Sequence, residues 1–273
     1  MKVAINGASG FVGRAISEKF NDLIILKRTD SEKALVDKLQ DVDVVINLAG
    51  APIIKRWSPA YKKLLVSSRV ETTRTLVKCI NQTNVKHFIS TSAIGIYPND
   101  RACDEQCEEH ANDFLADLIR AWEAEALACD KTTTILRYGI VLGARGGALA
   151  KMLLPFKLGL GGVIGKGAMK TSWIHIDDLL SIYDFVISQN LEGVFNATSP
   201  YPVTNLELSR SLAKSLYRPL LFSIPTFVFK LIYSEGASAL IDSKEVFPYK
   251  LLQKGYQFKY ERISTALNAL FQK

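Results

Sequence analysis

Short apolar runs alternate with segments of helical periodicity along the first 140 residues of the chain. The apolar runs predict strands at 2–6, 22–27, 43–48, 87–92 and 133–137. The segments between them predict helices at 11–20, 31–39, 59–80 and 111–128. Short strands that alternate with helices are typical of βαβ units and a parallel sheet. Because the strands are apolar throughout, we expect helices to cover both faces of that sheet.

The pattern changes after residue 142. The segment 143–167 contains eight glycines and predicts loops around one helix at 148–158. It is followed by a strand at 172–176, a helix that opens with Asp177 and Asp178, a strand at 193–197 and a mostly helical stretch beyond Thr204.

These elements predict an α/β fold of the Rossmann type, in which a doubly wound parallel sheet is joined to a smaller, mostly helical C-terminal region. Residues 1–142 and 172–198 would form the core that contains the sheet. Residues 143–171 and 199–273 would form the substrate or C-terminal region. No linker separates the two, so we expect the second part to pack over the first.

The composition is that of an ordinary globular protein, with 48% hydrophobic and 22% charged residues among 273. The net charge of +7 is not carried by any long basic run, so the sequence predicts no nucleic-acid partner. A small ligand that carries phosphate would suit the positive sign equally well. No apolar run approaches the roughly 20 residues of a membrane span, and no signal peptide is visible. We therefore expect a cytoplasmic protein without a membrane partner.

Four cysteines are few for this length. Cys103 and Cys107 are separated by three residues, with His110 nearby. A zinc site needs four ligands, which are usually arranged as two spaced pairs. The sequence therefore favours incidental thiols in a reducing compartment and no metal site.

Three glycines follow the first predicted strand and open the first predicted helix. They are Gly7, Gly10 and Gly13, spaced as GxxGxxG. The first permits a tight turn, the second lets the backbone approach a pyrophosphate, and the third lets the helix pack closely on the strand. The helix N-terminus presents free N–H groups to phosphate. This context predicts a dinucleotide site.

The second predicted strand ends in Lys27 and Arg28. A site for NAD usually has an acidic residue there, about 20 residues beyond the glycines, which binds the ribose 2′-hydroxyl; an arginine accommodates a 2′-phosphate instead. Arg28 therefore favours NADP(H), while Asp30 two residues later keeps NAD open. A solvated strand end is the alternative interpretation of Arg28.

In this order of motifs the chain resembles the extended short-chain dehydrogenase/reductases. The matching motifs are the glycine turn, Asn47–Gly50, Ser90–Ser92 with Tyr97 downstream, and Leu136–Gly139. Within that superfamily it is most similar to the nucleoside-diphosphate-sugar epimerase-like subgroup of the YfcH type. The similarity extends through the stretches 67–77 and 146–156 to the tail at 218–270, which resembles the C-terminal domain of the subgroup.

The resemblance implies a Rossmann core of about seven strands that binds NADP(H). It assigns to the dinucleotide Gly7, Ser9, Gly10, Phe11, Val12, Arg28, Leu48, Ala49 and Gly50. It places Ser90 and Gly139 at the nicotinamide half. In related folds the helices at 59–80 and 111–128 form a dimer interface. Their outward faces here would carry charged residues, so we expect a monomer or a homodimer; those residues are Lys62, Lys63, Arg69, Arg74, Glu108 and Asp113.

The catalytic dyad of the superfamily, a helical Tyr-x-x-x-Lys, is absent. None of the ten tyrosines has a lysine four residues later, and Ile119 and Glu123 stand at the matching positions. This absence is typical of the subgroup. Isoleucine cannot transfer a proton, and a carboxylate raises rather than lowers the pKa of a phenol. A proton-transfer group would have to come from elsewhere.

Three residues are candidates for that chemistry. Ser92 matches the serine or threonine that orients the substrate in the superfamily, with packing as the alternative. Tyr97 is the remaining candidate acid or base, and otherwise its ring packs over the loop. His175 lies two residues from Trp173, on the same face of a predicted strand, and is otherwise a structural histidine.

Two functions compete. The first is an NADP-dependent oxidoreductase or epimerase that acts on a sugar nucleotide or another small polar substrate. The second is a non-catalytic NADP(H)-sensing regulatory protein, which the intact glycine turn and the lost dyad would also fit. The sequence favours the first.

Overall fold

The computed structural model describes residues 1–20 and 22–272 of the chain. Its strands are β1 (Val3–Asn6), β2 (Leu23–Leu26), β3 (Val44–Asn47), β4 (His87–Ala93), β5 (Ala102–Cys103), β6 (Thr132–Tyr138), β7 (Ile140–Leu142), β8 (Gly162–Ile164), β9 (Lys170–Thr171), β10 (Trp173–His175), β11 (Gly193–Ala197), β12 (Val203–Thr204), β13 (Phe222–Ile224) and β14 (Glu245–Val246). Its α-helices are α1 (Phe11–Lys19), α2 (Glu32–Leu39), α3 (Pro59–Val66), α4 (Thr72–Ile80), α5 (Phe114–Leu127), α6 (Gly147–Lys157), α7 (Ile176–Ser188), α8 (Asn205–Ser215), α9 (Thr226–Tyr233), α10 (Ser238–Ile241), α11 (Tyr249–Gln253) and α12 (Ile263–Phe271).

The central sheet has six parallel strands in the order β2-β1-β3-β4-β6-β11. The chain winds outward in both directions from β1, which pairs with β2 on one side and with β3 on the other. The predicted doubly wound parallel sheet is thereby confirmed. In such sheets a crevice opens outside the carboxyl ends of the two strands at which the winding reverses. Here those strands are β1 and β3.

Within residues 1–20 and 22–272, no seventh strand joins this sheet, although the resemblance implies about seven. After β6 the chain passes Gly139, where a Cβ would lie 2.8 Å from the carbonyl oxygen of Ser172. The strand that follows, β7, leaves the sheet. It pairs in parallel with β10 as a separate two-stranded sheet.

Two apolar layers cover the sheet because successive strand residues point to opposite faces. Val3 and Ile5 belong to one layer, which includes α7, and Ala4 belongs to the other, which includes α2 and α4. All three residues are fully buried. The continuous apolar character of the strands follows from this double covering.

The predicted helix at 59–80 is continuous, but its middle is a π-helical segment at Ser67–Glu71. Ser58 caps its start by accepting a hydrogen bond from the Tyr61 amide, and Pro59 occupies the first turn, where no amide donor is needed. The wider π turn changes which side chains face inward. The prediction that Arg69 lies on the outward face is wrong, since it is only 8% exposed.

Two other elements have an end that differs from the predicted one, because a capping side chain fixes the residue at which a helix begins. Asp113 caps α5 through the Ala116 amide, so the helix predicted at 111–128 begins at Phe114. His175 caps α7 through the Asp177 amide, so the strand predicted at 172–176 ends at His175.

The later part of the chain builds a third apolar cluster with Trp173 and Leu149 at its centre, to which α6, α8 and α12 contribute. Two carboxylates, one buried and one half-buried, join this part to the core. Asp178 accepts hydrogen bonds from the amides of Lys259 and Tyr260, at 2.7 and 3.0 Å. Glu105 accepts from two other backbone amides, those of Asn196 and Lys250. The proposed boundaries between two regions stay a prediction.

Across residues 1–20 and 22–272, every helix is too short or too polar to cross a lipid bilayer.

Candidate functional site

The glycine turn lies at the carboxyl end of β1, in the crevice of the sheet. Gly7 has a φ of 95°, which favours glycine, and a Cβ there would lie 2.9 Å from the Leu48 carbonyl carbon. A Cβ at Gly13 would lie 2.2 Å from the Gly7 carbonyl oxygen, so α1 packs directly on the turn. Gly10 is the N-cap of α1, and among the described residues no side chain caps this helix. The first turn therefore keeps its amide donors for a ligand.

The loop after β3 meets this turn. The Leu48 amide donates to the Asn6 carbonyl at 2.8 Å, which continues the pairing of the two strands. Asn47 anchors the start of this loop with its side chain. Its Oδ1 accepts a hydrogen bond from Asn6, and its Nδ2 donates one to Thr73. The structure thus brings Leu48 and Ala49 against Gly7, as a shared dinucleotide site requires, and Gly50 follows them in the same loop.

Arg28 follows β2 and is exposed at the same edge of the sheet. Asp30, the residue that keeps NAD open, is engaged elsewhere. Its carboxylate accepts from the Lys27 amide at 2.8 Å and from the Lys38 ammonium at 2.5 Å. The hydrogen bond from Lys38 is the main cause that lowers the pKa of Asp30.

Part of the glycine-rich segment packs against the start of α1, a contact that the strand pattern alone does not predict. A Cβ at either Gly143 or Gly146 would lie 2.4 Å from the Phe11 side chain. Gly147 has a φ of 70° and also faces that ring. The density of glycines was the signal that this segment approaches another backbone or a ligand. Val12 is half-buried beside Phe11, while Ser9 is exposed in the turn.

Of the two positions of the missing dyad, Ile119 is apolar and Glu123 forms a buried ion pair with Arg137 of β6. Glu123 receives two hydrogen bonds from Arg137, at 2.8 and 2.7 Å, and both side chains are 8% exposed. Ile119 is 1% exposed and packs with Tyr97 and Val246. The sequence analysis identified Glu123 but missed Arg137, whose signal was a cation within an otherwise uncharged strand.

Ser92 and Tyr97 both join this ion pair. Ser92 Oγ donates to Glu123 Oε1, and Arg137 Nη1 donates to Tyr97 Oη at 2.8 Å. Tyr97 Oη in turn donates to Asn196 Oδ1 at 3.0 Å. Burial raises the pKa of Tyr97 to about 12, although Arg137 opposes the shift. The phenol therefore stays protonated near neutral pH.

His175 takes no part in the contacts that link Ser92 and Tyr97. Its Nδ1 accepts the Asp177 amide at 3.1 Å, and its ring lies 4.0 Å from the ring of Tyr260. Burial lowers the pKa of His175, which keeps the ring neutral. Its Nε2 is buried and has no partner among the described residues. The local role of His175 is to cap α7.

Ser90 lies in the middle of β4, where it pairs with Asn47 at the carboxyl end of β3, and Gly139 directly follows β6. Ser90 is 1% exposed. Beside Gly139, Tyr138 and Tyr183 share a hydrogen bond between their hydroxyl groups. Both residues therefore border the same end of the sheet as the glycine turn.

A cleft of about 530 Å³ opens between the loop after β3, the start of α5 and the C-terminal region. Its volume lies within the usual range for small-molecule sites. Aromatic and charged side chains line it, among them Trp57, Phe114, Lys230, Glu235 and Asp242. The rings of Trp57 and Phe114 contact each other edge to face, with centroids 5.4 Å apart.

Cys103 and Cys107 are free thiols whose sulfur atoms lie 2.9 Å apart. Burial raises the pKa of Cys103 to about 12. Within the described part of the chain, no group of three or more His, Cys, Asp or Glu side chains could hold a metal ion.

The order of these features matches a known family. The model of the NAD dependent epimerase/dehydratase family matches residues 3–198. The chain belongs to this family. A second model, a domain of unknown function (DUF1731), matches residues 224–270. The resemblance to epimerase-like short-chain dehydrogenase/reductases with a C-terminal domain of their own is thereby confirmed.

Several relatives in this epimerase family align over nearly the whole chain. The mouse epimerase family protein SDR39U1 is 33% identical, over 98% of this chain and 98% of its own length. An Arabidopsis thaliana homologue of that protein, described as chloroplastic, is 32% identical over 100% of this chain and 87% of its own. The cytoplasmic location of the present epimerase-family chain stays a prediction.

Solved structures of the family share the fold. The human epimerase family protein SDR39U1 (isoform 2), solved with NADPH, is 30% identical, with a TM-score of 0.94 over 100% of this chain and 99% of its own. A nucleoside-diphosphate sugar epimerase from Corynebacterium glutamicum is 27% identical, with a TM-score of 0.80; the match covers 99% of this chain and 58% of that longer one. The Rossmann-type prediction is confirmed by these neighbours.

Proposed function

We propose that this protein binds NADP(H) across the carboxyl ends of β1 and β3 and is an oxidoreductase for a small polar substrate. The observation that carries the proposal is the uncapped N-terminus of α1, which faces the crevice with Gly7 and the loop at 48–50 around it. Amide donors and the positive end of the helix dipole suit a pyrophosphate. The NADPH in the human relative supports the choice of ligand.

Arg28 would bind the 2′-phosphate that distinguishes NADP from NAD. It is exposed at the end of β2, and Asp30 is held by Lys38, so no competing carboxylate is available there for a ribose hydroxyl. One charge-assisted contact is worth about 1.5–3 kcal/mol, which corresponds to about tenfold or more in affinity.

When bound, the cofactor supplies or accepts a hydride, and the chain itself must bind the substrate and manage the proton. The cleft between Trp57 and Asp242 would take a small polar substrate, for which a sugar nucleotide is one class. Ser92 and Tyr97 remain the proposed polar groups near the nicotinamide half, and Ser90 and Gly139 its border. Because the phenol of Tyr97 is held protonated between Arg137 and Asn196, it suits proton donation better than proton abstraction. Reduction of a carbonyl therefore fits better than epimerisation.

The test combines cofactor titration with turnover. We expect wild-type protein to bind NADPH at least about tenfold more tightly than NADH, and Arg28→Ala to remove the preference. Lys33→Ala, which removes an exposed cation from the adjacent helix α2, is the matched control. Tighter binding of NADH by the wild type would overturn the assignment. NADPH oxidation is then followed with aldehydes, ketones and sugar nucleotides.

The second candidate is a non-catalytic NADP(H)-binding regulator, and one observation favours it. The three candidate catalytic side chains are buried, with no more than 2% exposure each for Ser92, Tyr97 and His175. The hydroxyl groups of Ser92 and Tyr97 both donate hydrogen bonds within the protein. If turnover is unchanged in Ser92→Ala, Tyr97→Phe and His175→Gln, while NADPH still binds, the regulator becomes the better description. Loss of turnover in Ser92→Ala or Tyr97→Phe with intact NADPH binding supports the enzyme.

A further inference from the structure

A pair of cysteines lies where the core meets the C-terminal region. Cys103 ends β5, which pairs in parallel with β14, and its carbonyl accepts the Phe247 amide at 2.9 Å. Four residues later, Cys107 packs against the apolar cluster to which Cys103 belongs. The two sulfur atoms lie 2.9 Å apart, and both thiols are free. The proposed NADP(H) site uses neither of them.

A tight turn brings the two thiols together. The Cys107 amide donates to the Asp104 carbonyl at 3.1 Å, and the Gln106 amide donates to the Asp104 carboxylate at 2.7 Å. These hydrogen bonds close a turn whose first position is one that aspartate favours. The sulfur contact therefore follows from the conformation of the backbone, and not from the chance approach of two flexible side chains.

The geometry of the pair is close to that of a disulfide. A disulfide bond is about 2.05 Å long, so the sulfur atoms need to approach by roughly a further 0.9 Å. Small rotations of the two side chains supply this movement and leave the turn in place. Cys103 is 4% exposed, whereas Cys107 is half-buried and reachable from solvent. A small oxidant would thus meet Cys107 first, with Cys103 placed to resolve the adduct.

The other two cysteines lack this arrangement. Cys79 is fully buried, and its thiol donates to the Glu32 carbonyl at 3.7 Å. Cys129 is half-buried, as Cys107 is, but in the described chain no second sulfur lies within hydrogen-bond distance of it. Exposure alone therefore does not distinguish Cys107; the neighbouring thiol does.

We propose that Cys103 and Cys107 are a redox modification site, at which a small disulfide such as oxidised glutathione converts the two thiols into a disulfide bond. The Cys107 thiolate attacks one sulfur of the small disulfide, whose S–S bond breaks and releases one thiol. The Cys103 sulfur then attacks the Cys107 sulfur, the mixed disulfide breaks, and the second small thiol leaves. The cysteines lose two electrons and two protons, which the small disulfide gains as it becomes two thiols. In a reducing compartment such a bond is transient.

The bond would close a ring around Glu105, which joins the core to the C-terminal region. Glu105 lies within the turn and accepts the amides of Asn196, at 2.7 Å, and Lys250, at 3.2 Å. Asn196 in turn accepts the Tyr97 hydroxyl at 3.0 Å. A cross-link between the two ends of a turn restricts its opening, because the opened states lose conformational entropy. Oxidation therefore tightens this joint, next to a residue that the proposed chemistry uses.

The first measurement is the position of the bond in the oxidised protein. Ligand-free wild type is equilibrated with mixtures of reduced and oxidised glutathione, alkylated and mapped by mass spectrometry. We expect a disulfide between Cys103 and Cys107, alkylation of the other two thiols, and full reversal by dithiothreitol. Cys129→Ser, which removes the other half-buried thiol, is the matched control and should form the same bond at the same glutathione ratio.

Two variants separate the roles of the thiols. Cys103→Ala keeps an apolar side chain in the cluster and removes the resolving sulfur, so Cys107 should stay as a mixed disulfide with glutathione. Cys107→Ser removes the accessible sulfur, so Cys103 should take up no glutathione. The wild-type map together with either variant decides the question, so the test survives a variant that does not fold.

The second measurement is amide hydrogen exchange in the reduced and oxidised forms of the wild type. Exchange at Asn196 and Lys250 should slow by about tenfold in the oxidised form, because the cross-linked turn opens less often. The amides of Lys259 and Tyr260, which donate to the separate carboxylate of Asp178, are the internal control and should exchange equally in both forms.

Each half of the proposal has its own contrary result. Absence of an internal bond in the wild type, with Cys107 left free or held as a stable mixed disulfide, would overturn the modification site. Equal exchange at Asn196 and Lys250 in the two forms would overturn the tightening of the joint. Both measurements use protein without NADPH, so neither depends on the proposed cofactor site.

Discussion

At the scale of single residues, the pair Glu123–Arg137 is the clearest departure from the chemistry of the superfamily. It joins Glu123, at one position of the dyad, to Arg137 of β6, and the two charges hold Ser92 and Tyr97. A buried pair of this kind contributes little net stability, but either partner alone is costly. The site is therefore sensitive to single changes and tolerant of paired ones.

We expect Arg137→Met or Glu123→Met alone to lower the free energy of unfolding by about 3–5 kcal/mol, because each leaves a buried charge unpaired. The double variant should recover much of that loss. Denaturant unfolding of the four proteins measures the coupling, with the exposed pair Arg74–Glu125 as a control whose coupling should be much smaller. Additive losses in the double variant would contradict this account.

His87 makes the stability depend on pH. It is 2% exposed, Nε2 lies 2.7 Å from Thr134 Oγ1, and burial lowers its pKa from 6.5 to about 4. The unfolded chain binds a proton near pH 6.5 and the folded chain only near 4, so stability is complete above 6.5 and falls as the pH drops. The loss between pH 7 and pH 4 should be about 3 kcal/mol. His87→Gln should remove this part of the slope; the same slope in wild type and variant would refute the assignment.

At the scale of elements, two glycines of the glycine turn have different roles: Gly13 is required by close packing, and Gly10 leaves room for the proposed ligand. A Cβ at Gly13 would lie 2.2 Å from a backbone oxygen, whereas one at Gly10 has its nearest neighbour at 3.4 Å. We expect Gly13→Ala to lower the free energy of unfolding by about 1–3 kcal/mol and to abolish NADPH binding. Gly10→Ala should leave stability within about 1 kcal/mol but still weaken binding, since the Cβ occupies the approach of the pyrophosphate. Equal stability of the two variants would contradict the packing argument.

Strong periodicity made the elements of the core predictable from the sequence. Local breaks in that periodicity could not be predicted. The runs around Ile5 and Ile46 are apolar on both faces, and this alone indicates a covered parallel strand. The π turn at 67–71 shifts the helical phase by about one residue. The residue types in this segment do not mark it as different from the rest of the helix. Arg69 was accordingly assigned to the wrong face. Arg137 was missed for a related reason: a charge within a strand is interpretable only once its partner from another element is known.

At the scale of the whole molecule, backbone contacts to two acidic side chains hold the tail on the core. Asp178 is 1% exposed and accepts two amides from the segment before α12. Tyr256 adds a hydrogen bond to the Asp178 carbonyl at 2.9 Å. These contacts hold residues 256–260, which follow the cleft-lining segment 230–242 in the chain, on the core.

We expect Asp178→Ala to lower the free energy of unfolding by about 1–3 kcal/mol for each amide left without an acceptor. Amide hydrogen exchange at Lys259 and Tyr260 should accelerate more than exchange in β1. Asp177→Ala, which removes the neighbouring and half-exposed carboxylate, is the control. It should change the free energy of unfolding and the exchange rates at Lys259 and Tyr260 by less. Uniform acceleration over the whole chain would show that the contact is not local.

The residues that line the cleft come from the matches to two different family models. Trp57 and Phe114 lie within the match to the epimerase/dehydratase family, whereas Lys230, Glu235 and Asp242 lie within the match to the second domain. The glycine turn and the loop at 48–50 belong wholly to the first. If the cleft takes the substrate, a change within residues 224–270 can therefore alter what the protein accepts while every residue of the glycine turn and of the loop at 48–50 stays the same.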